Sequence, residues 1–187
     1  MTTPRPAVFF DRDNTLIVGV DYLGDPDEVE LMPGAAACVA AVRDAGLATV
    51  VVSNQSGVAR GKFDEDAVRR VDKRMAELLV ADNANATLDL QLFCPHHPAF
   101  TRDSDRRKPK PGMLFDARDQ LSLDLSASWM VGDASRDIEA GHAAGCRTIL
   151  FTPAGLPRSP AADAKSSVEP DHRATTLADV ARLIVGR

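Results

Sequence analysis

The feature that most constrains this chain is a repeated alternation. Short apolar runs, each ended by a polar cluster, are separated by stretches with helical periodicity. Residues 7–10 (Ala-Val-Phe-Phe) run into Asp11-Arg12-Asp13-Asn14-Thr15. Residues 48–52 run into Ser53-Asn54-Gln55-Ser56-Gly57, and residues 128–131 into Gly132-Asp133-Ala134-Ser135-Arg136-Asp137. Residues 88–93 and 147–151 read as further strands. Between them, 34–45 places Ala35, Cys38, Val39, Val42 and Ala45 at helical spacing, with Gly46 as a stop. Residues 64–80 align Val68, Val71, Met75, Leu78 and Leu79 on one face, with Asp64 as N-cap. Residues 112–121, 135–144 (closed by Gly145) and 177–185 complete the helices. Residues 94–111 form a polar, proline-rich loop and 152–167 a Pro/Ala/Ser-rich one. Such alternation predicts an α/β fold: a Rossmann-like, three-layer α/β/α domain around a mostly parallel sheet. Neither a repeat nor a large inserted cap interrupts it, so residues 1–187 read as one domain whose site is closed only by short loops.

Composition narrows the function classes. At 187 residues the chain can bury roughly 70% of its unfolded surface, so folding needs neither metal nor disulfide. A formal net charge of -5 argues against nucleic acid as the main partner. Arg102, Arg106, Arg107, Lys108 and Lys110 form one local basic stretch. The start, Met1-Thr2-Thr3-Pro4-Arg5-Pro6, lacks the apolar core of a signal peptide, and no run is long enough to cross a bilayer. Cys38, Cys94 and Cys146 are odd in number and widely spaced, which suits free thiols and a cytoplasmic location. Cys38 lies on an apolar helix face and Cys146 after a glycine, so both read as core, as does Trp129.

In a parallel sheet, ligands bind at the carboxyl ends of strands. The three polar clusters all follow strands. If strand geometry continues past Phe10, Asp11 and Asp13 point to the same side. Carboxylates so close require a cation or a shared proton. Any one cluster also reads as a plain turn; the three together with Lys108 favour chemistry. Oxygen donors with few histidines suit magnesium. A phosphate brought to carboxylates needs that metal and a lysine, and phosphoryl transfer needs little beyond positioning and charge stabilisation. Asp11 could attack phosphorus to give an aspartyl-phosphate, while Asp13 protonates the leaving oxygen and later activates water.

Five segments, in order along the chain, carry a resemblance: Phe10-Asp11-Arg12-Asp13-Asn14-Thr15-Leu16, the stretch 52–61, Cys94-Pro95-His96-His97-Pro98, Arg107-Lys108-Pro109-Lys110-Pro111-Gly112-Met113 and Val131-Gly132-Asp133. The chain resembles haloacid dehalogenase-like phosphatases. More narrowly, it is similar to D-glycero-D-manno-heptose 1,7-bisphosphate 7-phosphatases and histidinol-phosphate phosphatases. The resemblance implies Asp11 as nucleophile and magnesium ligand, and Asp13 as general acid/base and ligand through its carbonyl. It implies Asp133 as the third ligand, Ser53 and Asn54 as phosphate holders, and Lys108 as the neutralising cation. Arg60 and Arg107 would contact the rest of the substrate, and Asp137 would stand behind the metal. The substrate implied is a small sugar phosphate, foremost the 7-phosphate of the heptose bisphosphate. Histidinol phosphate, a polynucleotide 3′-phosphate and a non-catalytic scaffold of the same fold are the alternatives. A monomer is expected, with no membrane or nucleic-acid partner. Tyr22 and Asp21 read equally as substrate contacts or as a surface turn.

Two departures stand out. Asn14 takes the place of a glycine, a change that asparagine's tolerance of positive φ permits. Relatives hold zinc with a Cys-x-His pair and a Cys-x-Cys pair. Cys94 and His96 keep the first, while Ser104 and Arg106 stand at the second. A tetrahedral site needs four good ligands, so structural zinc is expected to be absent and the loop to be held by hydrogen bonds or salt bridges.

Overall fold

In the computed structural model, residues 4–153 and 168–186 are described. Most of the loop expected over 152–167, and Met1, Thr2 and Thr3, therefore lie outside the described residues. Six strands form one sheet: β1 (Ala7–Phe10), β2 (Ala48–Asn54), β3 (Leu90–Cys94), β4 (Trp129–Gly132), β5 (Arg147–Phe151) and β6 (His172–Ala174). Their order is β3-β2-β1-β4-β5-β6, and each neighbouring pair is parallel. The apolar runs locate five of these strands. β6 escapes sequence reading because it is a three-residue edge with two exposed side chains. β2 runs two residues beyond its apolar run, pairing Ser53 with Phe93 and Asn54 with Cys94. Its polar end is thus strand rather than loop.

The helices are α1 (Ala35–Asp44), α2 (Ser56–Ala59), α3 (Glu65–Asp82), α4 (Gly112–Leu121), α5 (Ser135–Ala144) and α6 (Leu177–Val185). Asp64 caps α3 by accepting the Ala67 N–H at 2.7 Å. Gly145 ends α5 at φ 82°, a conformation glycine adopts without steric cost. The four-residue α2 is too short to show a period in the sequence. Strand side chains alternate between faces. Val8 and Phe10 therefore join the core under α1, α3 and α6, and Ala7 and Phe9 the core under α4 and α5. Trp129 is buried, with the Arg147 guanidinium 3.8 Å from its ring centroid. Cys38 and Cys146 are also buried, and burial pushes both thiols up to about 12. Among the described residues no helix is long and apolar enough to cross a membrane.

The chain leaves β1 toward β2 on one side and later returns to β4 on the other. Strand order therefore reverses at β1, and a crevice opens beyond the carboxyl ends of β1 and β4.

Candidate active site

Asp11 is the first residue after β1. Its N–H donates to Val131 O at 2.8 Å, which continues the ladder to β4 and fixes the peptide. The strand geometry does not continue to Asp13: a turn closes here, with Leu16 N–H on Arg12 O at 2.9 Å. The two carboxylates consequently have different surroundings. Asp11 is 3% exposed, and Lys108 Nζ lies 2.8 Å from its Oδ1. Asp13 keeps 30% of its side chain exposed. It accepts from Arg12 Nε at 3.2 Å, Arg12 Nη2 at 3.3 Å and Gln55 Nε2 at 2.8 Å. Asn14 adopts φ 59° and its Oδ1 accepts the Gly19 N–H at 3.1 Å, so the turn survives without glycine.

Lys108 arrives from the loop between β3 and α4, and Asn54 docks it. The Asn54 amide donates to Lys108 O at 2.9 Å and accepts Lys108 N–H at 3.0 Å. The long β2 explains this reach, because Asn54 is its last residue. Lys108 is fully buried. Nζ is 2.6 Å from Asp137 Oδ1 and donates to Val52 O at 2.7 Å. Burial opposes its charge, but Asp11 and Asp137 outweigh burial and raise its pKa.

Asp133 follows β4, and Asp137 sits in the first turn of α5, where its Oδ2 accepts the Ala134 N–H at 3.1 Å. Oxygens of Asp11, Asp133 and Asp137 all lie within 4.8 Å of one another. Burial, then the charges of Asp11 and Asp137, push Asp133 up to about 7. Its Oδ1 is buried without a hydrogen bond. Burial and Asp11 likewise raise Asp137, against the pull of Lys108 and Arg136. Crowded carboxylates with an orphaned oxygen fit a hard divalent cation, and the all-oxygen donor set fits magnesium. Asp137 is thus more central than its sequence position suggested.

Ser53 is buried, and its Oγ accepts from Gln55 Nε2 at 2.6 Å, leaving its own O–H for another acceptor. Arg60 and Arg107 are not ion-paired to the carboxylate cluster. Arg60 stacks on Phe100 at 4.2 Å and faces Tyr22 at 5.8 Å. Arg107 donates to His96 O at 3.1 Å. Three contributors were not singled out from sequence. Gln55 and the fully buried Arg12 hold Asp13, and Arg12 is itself 2.9 Å from Asp72 on α3. Arg136 faces Asp11 and Asp133. Arg136 and Gln55 lie inside the polar clusters, so their proximity to the strand ends was the available signal.

The loop beyond β3 is tied by polar contacts. His96 Nε2 accepts from Arg102 Nε at 3.1 Å, Arg106 pairs with Asp116 at 2.9 Å, and Lys110 pairs with Asp103 at 2.5 Å. Ser104 Oγ accepts the Arg106 N–H at 3.3 Å.

A buried aspartate held by a lysine, with further carboxylates at the switch point of a parallel sheet, is the signature of one class of hydrolase. Residues 105–180 match the family described as HAD-hydrolase-like. The chain belongs to the haloacid dehalogenase-like hydrolases, and it is an enzyme of the phosphatase kind. It is 40% identical over 168 residues, 87% of each chain, to the D-glycero-beta-D-manno-heptose-1,7-bisphosphate 7-phosphatase of Escherichia coli K12. It is 36% identical over 191 residues to the protein of the same name in Photorhabdus laumondii, covering 100% of this chain and 98% of that one. Its fold matches the crystal structure of D,D-heptose 1,7-bisphosphate phosphatase from B. bronchiseptica complexed with magnesium and phosphate. The TM-score is 0.83 and the identity 29%, over 97% of this chain and 98% of that one.

Proposed function

We propose that this chain removes the 7-phosphate of D-glycero-D-manno-heptose 1,7-bisphosphate in a magnesium-dependent reaction, and that its whole length serves as one monomeric, cytoplasmic phosphatase domain. The observation that carries the chemistry is the buried Asp11 with Lys108 2.8 Å from one oxygen, beside Asp133 and Asp137. The names of the relatives support the substrate, and the β anomer in those names is the first to test.

Asp11 is the nucleophile. Its contact with Lys108 at Oδ1 fixes the carboxylate in place for attack on phosphorus. The Asp11–P bond forms as the P–O bond to the sugar breaks, and Asp13 gives its proton to the departing oxygen. Asp13 then takes a proton from the water that cleaves the aspartyl-phosphate. Its partial exposure suits a group that trades protons with a leaving group and with water. Asp11, Asp133 and the Asp13 carbonyl, with Asp137 behind them, would hold magnesium, which supplies charge neutralisation for the phosphoryl group. Ser53 O–H donates to a phosphoryl oxygen, Asn54 fixes the lysine loop, and Arg60 and Arg107 contact the distal part of the substrate. Structural zinc is absent in this reading, because Arg106 stands where a ligand is needed and pairs with Asp116.

The experiment is phosphate release from heptose bisphosphate anomers, histidinol phosphate and 3′-phosphorylated oligonucleotides, each with magnesium and with chelator. Preference for the heptose bisphosphate is expected. Metal-independent turnover, or a clear preference for histidinol phosphate, overturns the reading. Asp11→Asn should abolish release with an unchanged melting temperature. Metal analysis of the same preparation should find zinc far below one equivalent.

A further inference from the structure

The cations around Asp11 differ: Lys108 is in close contact with the protein, whereas Arg136 makes only long ion pairs. An ammonium group has three protons to donate. Lys108 Nζ donates to Val52 O at 2.7 Å and is ion-paired with Asp11 Oδ1 at 2.8 Å and Asp137 Oδ1 at 2.6 Å. The Lys108 backbone is fixed by its paired hydrogen bonds with the Asn54 side chain.

Arg136 has the opposite character. It occupies the first turn of α5 and keeps 26% of its side chain exposed. Its Nη2 approaches the other Asp11 oxygen, Oδ2, only to 4.0 Å, and Asp133 Oδ1 only to 3.8 Å. Both separations exceed hydrogen-bond length. Its Nε is buried without a partner. A guanidinium has five N–H donors in a planar fork that matches phosphate oxygens two at a time. Here it hangs over the nucleophile with none of those donors in a hydrogen bond to a described residue. Burying such a donor without an acceptor is unfavourable, and a phosphoryl group poised for attack by Asp11 would present the missing acceptors.

We propose that Arg136 is a catalytic residue of this phosphatase: its guanidinium donates directly to the phosphoryl oxygens during transfer, while Lys108 acts on Asp11. The proposal rests on the phosphatase reading above and adds a separate donor to it. Charge on the equatorial oxygens of a transferring phosphoryl group is what such a preorganised fork stabilises. Because Arg136 lies on the Oδ2 side of Asp11 and Lys108 on the Oδ1 side, the two cations flank the nucleophile without competing for one place.

The test compares wild type, Arg136→Ala and Arg136→Lys, with melting temperatures confirming that each is folded. Three quantities are read. They are calorimetric binding of magnesium alone, calorimetric binding of inorganic phosphate to the magnesium-loaded protein, and kcat on a generic phosphomonoester. Arg136→Ala should weaken phosphate at least about tenfold and lower kcat about a hundredfold, with magnesium bound no more weakly than in wild type. Arg136→Lys should recover part of both, since the charge returns without the fork. Phosphate affinity and kcat within threefold of wild type in Arg136→Ala would overturn the proposal. So would a loss of magnesium binding as large as the loss of phosphate binding, which would make Arg136 a support for the carboxylates. If wild type itself releases no phosphate, the phosphatase reading falls, and phosphate binding by the three proteins still decides the role of Arg136.

Discussion

Arg12 sits between the two aspartates to which the proposed mechanism assigns the chemistry, and nothing in Asp11-Arg12-Asp13 marks it as more than a spacer. The folded chain buries it completely and gives it two carboxylates, Asp13 and, sixty positions away, Asp72 on α3. A buried guanidinium is tolerable only while its partners remain, and removing one partner from such a pair is far worse than never having built it. Asp72→Asn should therefore destabilise the protein by about 3 kcal/mol. It should also lower kcat more than it changes KM, because Arg12 would lose the anchor on α3 that holds it in place against Asp13. Urea denaturation and steady-state kinetics measure both; stability within 0.5 kcal/mol of wild type, a margin typical of surface changes, would refute the coupling. The same residues mark how far the sequence is legible. Asp11, Lys108 and Asp133 could be named because each follows an apolar run or stands in a motif. Arg12–Asp72 could not, because a tertiary ion pair leaves no periodicity in the chain.

Among the elements, β2 ties both ends of the sheet together. Its carboxyl end carries Ser53 and Asn54 to the site. At its start Thr49 is fastened to Asp89, which lies just before β3. The Thr49 N–H donates to Asp89 Oδ2 at 2.8 Å, Arg43 of α1 reaches the same oxygen at 2.8 Å, and Arg5 reaches Oδ1 at 3.0 Å. This fastening explains why β3 begins at Leu90 rather than at Leu88, where the apolar run starts: Asp89 turns aside to bind β2 and α1. Burial works against its ionisation, but the Thr49 N–H and the two arginines prevail and lower its pKa. A carboxylate with a depressed folded-state pKa adds stability above the unfolded-state value of about 3.9, and that stability is lost as pH falls through the folded value. Asp89→Asn should consequently cost about 1 kcal/mol near neutrality, after allowance for solvent screening. The gap from wild type should close below about pH 4. Denaturation curves at pH 7 and pH 3.5 check it, and a gap that widens in acid would contradict the sign.

Across the whole molecule, charge is well matched at one end of the sheet and crowded at the other. Asp89 has a surplus of donors at the amino ends of the strands. At the carboxyl ends, three carboxylates, Asp11, Asp133 and Asp137, face two cations, Lys108 and Arg136. Burial and acidic neighbours oppose the ionisation of both Asp133, pushed up to about 7, and Asp137. Folding therefore accepts electrostatic strain at the site, which a bound divalent cation would relieve. Two consequences can be measured by thermal unfolding. Magnesium at ten times its dissociation constant should stabilise wild type by about 1.4 kcal/mol, a rise of about 3–5 °C for a domain of this size. Asp133→Asn, which leaves two carboxylates against two cations, should melt higher than wild type in chelator and respond little to magnesium. A wild type indifferent to magnesium, or an Asp133→Asn variant that melts lower in chelator, would mean that the crowded carboxylates are relieved from within the protein and not by a metal.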